Sequence, residues 1–192
     1  MEFRLGEVWV LKIFSSFIIS AFIILAFSSL NTNAQDLSGK GSAKTIEQQV
    51  FKKILRLPYY EVFDNIKYSV NGGTVTLYGK VRNATNRKSA ERVVEDISGV
   101  INVVNNIEVL PLGSFDESIR GNLYRTLANR GGLYRYFNQT NPSVRLVVDR
   151  GHVRLEGFVA NRGDYNLMNI LARGVSGTFS VTNNLVIENQ LR

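Results

Sequence analysis

The sequence predicts an α+β protein made of two tandem αββαβ repeats, each a three-stranded sheet with two helices on one face. The first observation is the stretch Gly73–Val81, which recurs later in the chain, in changed form, as Gly151–Val159. The second is an alternation of apolar and polar residues ahead of each copy, with turn residues between. The third is a helical spacing of apolar residues on both sides of each hairpin.

The two stretches are 78 residues apart, and this offset also aligns residues 71–109 with 149–187 without a gap. Eleven of these 39 positions are identical, where average residue usage gives roughly two or three by chance. The identical pairs are Gly73/Gly151, Val75/Val153, Leu77/Leu155, Gly79/Gly157, Val81/Val159, Asn83/Asn161, Ser98/Ser176, Gly99/Gly177, Val103/Val181, Asn105/Asn183 and Asn106/Asn184. The chain is therefore a tandem repeat.

The first repeat begins with a helix, since Thr45 and Gln48 have the spacing of a capping box. The buried face of this helix is predicted to contain Ile46, Val50 and Ile54. An alternating strand over 66–70 leads through a Gly-rich turn into the strand 73–81. A second helix starts at Asn86 and ends at Gly99, and residues 100–109 form a third strand.

The second repeat follows the same order. Ser114 and Glu117 form a capping box, and the buried face of the helix is predicted to contain Ile119, Leu123 and Leu127. Between this helix and the next strand the second repeat has about nine extra residues, which include Leu133–Phe137. Insertions in repeats lie on surface loops, so a function private to this protein could reside there.

Six glycines recur in the motif: Gly73, Gly79, Gly99, Gly151, Gly157 and Gly177. Gly79 and Gly157 fall on the apolar face of their strands, where a missing side chain indicates close approach of a helix or a bend. Each repeat alone would have a thin core. We therefore expect the two repeats to pack together.

The N-terminus predicts export. Lys12 precedes an apolar run over 13–30, and the small residues Thr32 and Ala34 suit cleavage after Ala34. Residues 1–34 are thus a predicted signal peptide, 35–43 a flexible linker, 44–111 the first domain and 112–188 the second. The alternative is an uncleaved anchor, because the length of the apolar run is near the lower limit for crossing a bilayer.

These residues and motifs resemble the BON domain, a family named for bacterial osmotically induced and nodulation proteins that commonly occurs in tandem behind a secretion signal. The resemblance covers roughly residues 44–188, including the trailing strands in 98–109 and 176–187. It implies an αββαβ fold and a non-enzymatic envelope module that attaches to phospholipid membranes or maintains the envelope under osmotic stress. Thr178 in place of Val100, and the Tyr/Arg-rich insertion, depart from the pattern.

The sequence offers no catalytic constellation, cofactor motif or metal-ligand spacing. The chain has no cysteine and one histidine, His152, beside a hairpin. Two acidic pairs could suggest paired carboxylates. Asp116 and Glu117 fit the first turn of a helix, where negative charge is favourable, and Glu95 with Asp96 fits a solvated helix face. We expect no enzymatic activity.

The net charge of +7 favours an anionic partner. Residues 112–192 contain ten Arg and no Lys, and Arg with aromatic residues suits a phospholipid headgroup layer. The candidate contact set is Arg120, Tyr124, Arg125, Arg130, Tyr134, Arg135, Tyr136 and Phe137. Alternatively, these aromatics form the loop's own small core or the contact with the first repeat. A second basic set, in the first repeat, fits a solvated helix face or a binding patch: Lys80, Arg82, Arg87, Lys88 and Arg92.

The sequence is consistent with two functions. One is a periplasmic module that touches anionic phospholipid through 116–137. The other is a scaffold for an envelope protein. Its candidate surface is the uncovered sheet face, around Thr74, Thr76 and Tyr78 or around His152, Arg154 and Glu156. Export argues against a nucleic-acid partner. The sequence does not predict the oligomeric state.

Overall fold

The computed structural model describes residues 34–188, with side chains from residue 43 onward. The predicted signal peptide, apart from its last residue Ala34, lies outside the described residues. Both sheets belong to one compact unit, which begins at Thr45. The elements of the first repeat are α1 (Ala34–Ile54), β1 (Asn65–Asn71), β2 (Thr74–Val81), α2 (Ala84–Glu95) and β3 (Asn102–Val109). Those of the second are α3 (Ser114–Ala128), a 3₁₀ turn (Leu133–Tyr136), β4 (Val144–Asp149), β5 (His152–Val159), α4 (Arg162–Arg173) and β6 (Ser180–Ile187).

Each repeat forms its own three-stranded mixed sheet. In the first, β1 and β2 are an antiparallel hairpin and β3 runs parallel to β2, so the order is β1-β2-β3. The second sheet repeats this as β4-β5-β6. The helix between the last two strands supplies the crossover that a parallel pair needs. The predicted fold class, including matching hairpins at 66–81 and 144–159, is confirmed.

The helices of each repeat cover one face of its sheet. In the first repeat Val50, Leu77 and Val94 are fully buried in one core cluster. In the second, Leu123, Leu155 and Met168 are buried in the same way. The predicted buried faces of α1 and α3 are confirmed: Ile46, Val50, Ile54, Ile119, Leu123 and Leu127.

The first helix of each repeat, α1 or α3, starts differently from the sequence prediction. Helix α1 begins at Ala34 rather than Thr45, and it includes the stretch 35–43 that was expected to form a flexible linker. Gly and Ser in that stretch disfavour a helix by only about 1 kcal/mol each, so composition alone did not decide its structure. In α3 the N-cap is Gly113, without a side-chain cap, and Ser114 is already helical.

Gly79 and Gly157 are required by the neighbouring strand rather than by a helix. A Cβ on Gly79 would lie 2.1 Å from the carbonyl oxygen of Asn65, and one on Gly157 would lie 2.0 Å from that of Ser143. Their φ angles are +118° and +113°, which disfavour any side chain. The predicted close approach is therefore made by the backbone at the start of β1 or β4.

The repeated asparagines hold helix and strand together. Asn83 and Asn161 are N-caps, whose side chains accept from Thr85 N and Asp164 N. Asn105 Oδ1 accepts from the amide of Ile107 two residues along, while its Nδ2 donates to a carbonyl of α2. Asn183 makes the same pair of contacts in the second repeat. These identities are thus explained by structure alone.

We expect Gly79→Ala to lower the free energy of unfolding by at least about 3 kcal/mol, because it adds a backbone clash to a left-handed conformation. Urea unfolding measures the change. Gly72→Ala is the matched control: its φ is +57°, yet nothing lies within 4 Å of an added Cβ. It should cost about 1 kcal/mol. Equal losses for the two variants would contradict the role assigned to the Asn65 carbonyl.

Candidate functional site

The structure divides the predicted contact set into buried and exposed members. Arg120 is only 1% exposed. Its guanidinium donates to Val148 O at 2.7 Å and to Glu117 Oε1 at 2.7 Å, so it joins α3 to β4. Tyr136 and Phe137 are buried in the core of the second repeat, and Tyr124 packs partly buried against it. Tyr136 and Phe137 therefore belong to the main core of the second repeat rather than to a separate core of the loop. Tyr124 also contacts Phe63, which agrees with the expected alternative of a contact with the first repeat.

Tyr136 is the centre of a buried hydrogen-bond network, and the first repeat has a corresponding network centred on Asp64. Its hydroxyl donates to Asp164 and accepts from the amide of Ala160 at 3.0 Å. In the first repeat, Asp64 accepts from the amide of Arg82 at 2.7 Å and from Asn86 Nδ2 at 3.0 Å. Arg82 and Asn86 stand at the repeat positions of Ala160 and Asp164. The insertion thus supplies the hydroxyl that replaces the Asp64 carboxyl.

Burial has the largest effect on the pKa of the two central groups, Asp64 and Tyr136. It raises the pKa of Asp64, although hydrogen bonds from the amides of Glu61 and Arg82 oppose the rise. Burial also raises the pKa of Tyr136, aided by its hydrogen bond to Asp164. Asp64 and Tyr136 are 1% and 6% exposed, so both groups lie inside the protein.

Four of the predicted residues remain at the surface: Arg125, Arg130, Tyr134 and Arg135. Arg125 donates to Gly121 O and Asn122 Oδ1 on its own helix. Arg135 is paired with Asp164. The segment 118–148 that carries these residues contains no Asp or Glu. The exposed end of α3 and the turn after it are therefore cationic.

The sequence interpretation missed an exposed aromatic pair at the other end of α3. Phe115 is 48% exposed and Phe179 is 69% exposed, with ring centroids 5.7 Å apart. We call Phe115 and Phe179 the tip pair. His152 lies edge-on to Phe179 at 6.1 Å, and Arg150 is exposed in the adjacent turn. Phe179 stands at the repeat position of Ile101, which is 87% exposed, so an apolar residue after the motif glycine was the available signal.

The outer face of α3 connects the tip pair to the cationic end. Phe115, Ser118, Asn122 and Arg125 recur at helical spacing, and we call them the outer stripe. Three of them are exposed, and Asn122 is half-buried. The two acidic residues of this helix point elsewhere. Asp116 is buried and accepts from the amides of Arg150 and Gly151, as expected for a structural carboxylate in a first helical turn.

The first repeat covers one edge and part of the open sheet face of the second. Arg145 is 7% exposed. Its guanidinium lies 4.4 Å from the ring centroid of Tyr60 and donates to Glu61 O at 2.9 Å. Next to it, the amide of Leu146 donates to Val62 O at 2.8 Å. The expected packing of the two repeats is confirmed.

Ion pairs also join the repeats. Lys67 Nζ lies 2.8 Å from Glu156 Oε2, and Lys80 Nζ lies 2.6 Å from Asp149 Oδ2. The guanidinium of Arg82 bridges Glu61 in its own repeat and Glu117 in the next. Because Glu156 is committed in this way, part of the sheet face considered for a protein partner is already covered. In the first repeat Tyr78 remains 41% exposed on that face.

The basic set of the first repeat does not form one patch. Lys80 and Arg82 lie in the ion pairs between the repeats, whereas Arg87, Lys88 and Arg92 are exposed on α2. Glu95 and Asp96 are exposed as well.

Within the described range, no cluster of three or more acidic, His or Cys side chains could hold a metal ion. His152 Nδ1 lies 2.7 Å from Ser180 Oγ, on the exposed face of the sheet. No helix between residues 34 and 188 is long and apolar enough to cross a bilayer.

A groove of about 590 Å³ lies between the repeats, beside the outer stripe. One wall contains Tyr60, Val62 and Phe63 of the first repeat. The other contains Tyr124 and Phe137 of the second, with Gly121 and Arg125 of α3 at its side.

Comparison with known proteins gives one family match and two structural similarities. The family described as BON domain matches residues 42–111 and again 115–189. No curated protein matches the sequence. Among solved structures, the chain is similar to the C-terminal domain of CdsD, a structural protein of the type III secretion system of Chlamydia trachomatis. That similarity has 17% identity and a TM-score of 0.30, over 75% of this chain and 65% of that one. A second CdsD structure has 14% identity and a TM-score of 0.29, over 77% and 95%.

We expect Asp149→Asn to lower the free energy of unfolding by about 1 kcal/mol at pH 7, because it breaks a partly buried ion pair. The first repeat has Asn71 at the equivalent turn position, so the turn accepts this residue. The hydrogen bond from Lys80 lowers the pKa of Asp149 below its usual 3.8, against an opposing effect of burial. The stabilisation is therefore present above pH 3.8 and is lost as the pH falls through the lower folded value.

Urea unfolding at pH 7 and at about pH 2.5 tests this dependence. The difference between wild type and Asp149→Asn should shrink at the lower pH. Glu95→Gln, on the solvated face of α2, should change stability little at either pH. A difference for Asp149→Asn that is the same at both pH values would contradict the assignment.

Proposed function

The chain belongs to the BON-domain family, and we propose that it is a non-catalytic, periplasmic module of the cell envelope that contacts anionic phospholipid and supports envelope integrity under osmotic stress. The outer stripe of α3 carries this proposal. It joins an exposed aromatic pair at one end to exposed arginines at the other. Export by the predicted signal peptide would bring this surface to a membrane.

The tip pair suits the interfacial layer of a membrane. Phe115 and Phe179 together expose two rings beside His152 and Arg150. Aromatic rings are favoured at the headgroup level. Burying one Phe side chain contributes roughly 1.5–3 kcal/mol relative to leaving it in water. Insertion of the tip pair into the interfacial layer is therefore favourable.

The arginines supply attraction to anionic headgroups. Each basic residue near an anionic surface contributes about 1 kcal/mol. Arg125 and Arg130 have no carboxylate partner in the described part of the chain, and Arg150 adds a third cation beside the tip pair. Guanidinium groups bind phosphate in a bidentate manner. The surface therefore combines apolar insertion with phosphate recognition.

A protein partner is the alternative. It would use the sheet face of the first repeat around Thr76 and Tyr78, where Tyr78 is exposed and Thr76 is half-buried. Binding there would not involve the tip pair. The two functions therefore differ in the surface that each needs.

We expect the double variant Phe115→Ser/Phe179→Ser to weaken binding to anionic vesicles by tenfold or more, on the order of the apolar burial that it removes. Arg125→Gln/Arg130→Gln should weaken binding roughly tenfold to thirtyfold at low salt, with a smaller effect at high salt. Co-sedimentation of the chain, as isolated from cells, with phosphatidylglycerol-containing vesicles measures both.

Ile101→Ser and Arg92→Gln in the first repeat are the matched controls, and both should bind as wild type does. Binding that neither salt nor the α3 variants alter would refute the membrane proposal. Loss of binding to an envelope protein through Tyr78→Ser, with vesicle binding absent, would favour the scaffold instead.

A further inference from the structure

The groove between the repeats includes four aromatic residues in its lining, namely Tyr60, Phe63, Tyr124 and Phe137. Tyr124 lies edge-on to Phe63 at 6.3 Å and to Phe137 at 5.9 Å, measured between ring centroids. Tyr60 and Val62 complete the wall from the first repeat. A volume of about 590 Å³ is within the range of small-ligand sites. The groove is therefore large enough for one elongated apolar group.

The polar groups of one wall are already used within the protein. Glu61 O accepts from Arg145, and Val62 O accepts from the amide of Leu146. The hydroxyl of Tyr60 accepts from the amide of Ile66. An extended peptide needs backbone partners along its length, and two carbonyls of this wall, those of Glu61 and Val62, are already used. This wall therefore favours an apolar occupant over a peptide.

The charge at the rim of the groove indicates what can be attached to an apolar group bound inside it. Arg125 lines the groove and also belongs to the outer stripe, so it can contact a phosphate while an attached chain lies in the groove. The single carboxylate of the lining, Glu61, is paired with Arg82 at 3.0 Å and is thereby compensated. An anionic head at Arg125 thus meets a net positive rim.

We infer that this groove binds one acyl chain of an anionic phospholipid, with its phosphate at Arg125. The inference rests on the proposed membrane function and adds a specific site to it. A lipid held in this way leaves the plane of the bilayer with one chain. The second repeat then binds individual lipids as well as the surface.

Gly121 provides the test. It lies in the middle of α3 and lines the groove, and a Cβ added there meets nothing closer than Arg125 Nη2 at 4.0 Å. Gly121→Trp should fill the groove. Gly121→Ala adds only one methyl group and improves helix propensity, so it is the matched control.

The probe is phosphatidylglycerol with a diazirine in the middle of one acyl chain, incorporated in vesicles and photolysed with the chain as isolated from cells. Mass spectrometry should locate the label in residues 60–63 and 137–142. Gly121→Trp should reduce this label at least tenfold, while vesicle co-sedimentation changes less than twofold. Gly121→Ala should label as wild type does. Thr140 of the second repeat also lines the groove, and Thr140→Trp is the second variant if Gly121→Trp fails to fold.

Label confined to Phe115 and Phe179, and unchanged in Gly121→Trp, would overturn the groove while leaving the membrane contact intact. The opposite outcome, groove binding without membrane binding, is tested with a short-chain diazirine phosphatidylglycerol below its critical micelle concentration. Groove labelling by this monomer, with vesicle binding absent, would support the groove and overturn the proposed function.

Discussion

Arg145, buried beneath the ring of Tyr60, is the contact on which the arrangement of the two repeats depends. Its charge has no carboxylate partner among the described residues. It is stabilised by the face of the ring and by the carbonyl of Glu61. Burial raises the pKa of Tyr60 and lowers that of Arg145. A buried guanidinium is costly unless its donors are satisfied, so this contact tolerates only a narrow range of positions for the segment 60–63.

That contact determines which surface of the second repeat faces outward. The segment 60–63 occupies the edge of β4, since Leu146 donates its amide to Val62. Glu156 and Asp149 then receive lysines from the first repeat. The sheet side is thereby committed to the repeat contact. The helix side, which carries α3, is the side left open for the proposed membrane contact.

The fold could be predicted from the sequence because the core positions of the hairpin strands repeat. Val75, Leu77 and Val81 recur as Val153, Leu155 and Val159, and each of them is fully buried. The spacing of apolar residues indicates which side chains face a core, and the two copies of the repeat give this indication twice. The same logic found the hairpins, but it placed the N-cap of α3 at Ser114 instead of Gly113, because cap geometry depends on single residues. It misplaced the start of α1 because the composition of 35–43 did not decide its structure.

The site could be predicted only in part, because composition does not say which way a side chain points. Arg120 and Tyr136 belong to a Tyr/Arg-rich stretch that suits a membrane, yet both satisfy buried hydrogen bonds. The need for Tyr136 arises from tertiary structure, where it replaces the carboxyl of Asp64. The tip pair was missed for the opposite reason. Phe115 and Phe179 are distant from each other in the sequence and meet only after the sheet and α3 have formed.

Hydrogen exchange of the chain with and without anionic vesicles tests most directly whether α3 is the lipid-facing surface. We predict slower exchange in 114–130 and 177–180 on vesicle binding, with 144–148 unchanged because the repeat contact already protects it. Slower exchange confined to the sheet of the first repeat, at 74–80 and 102–108, would contradict it.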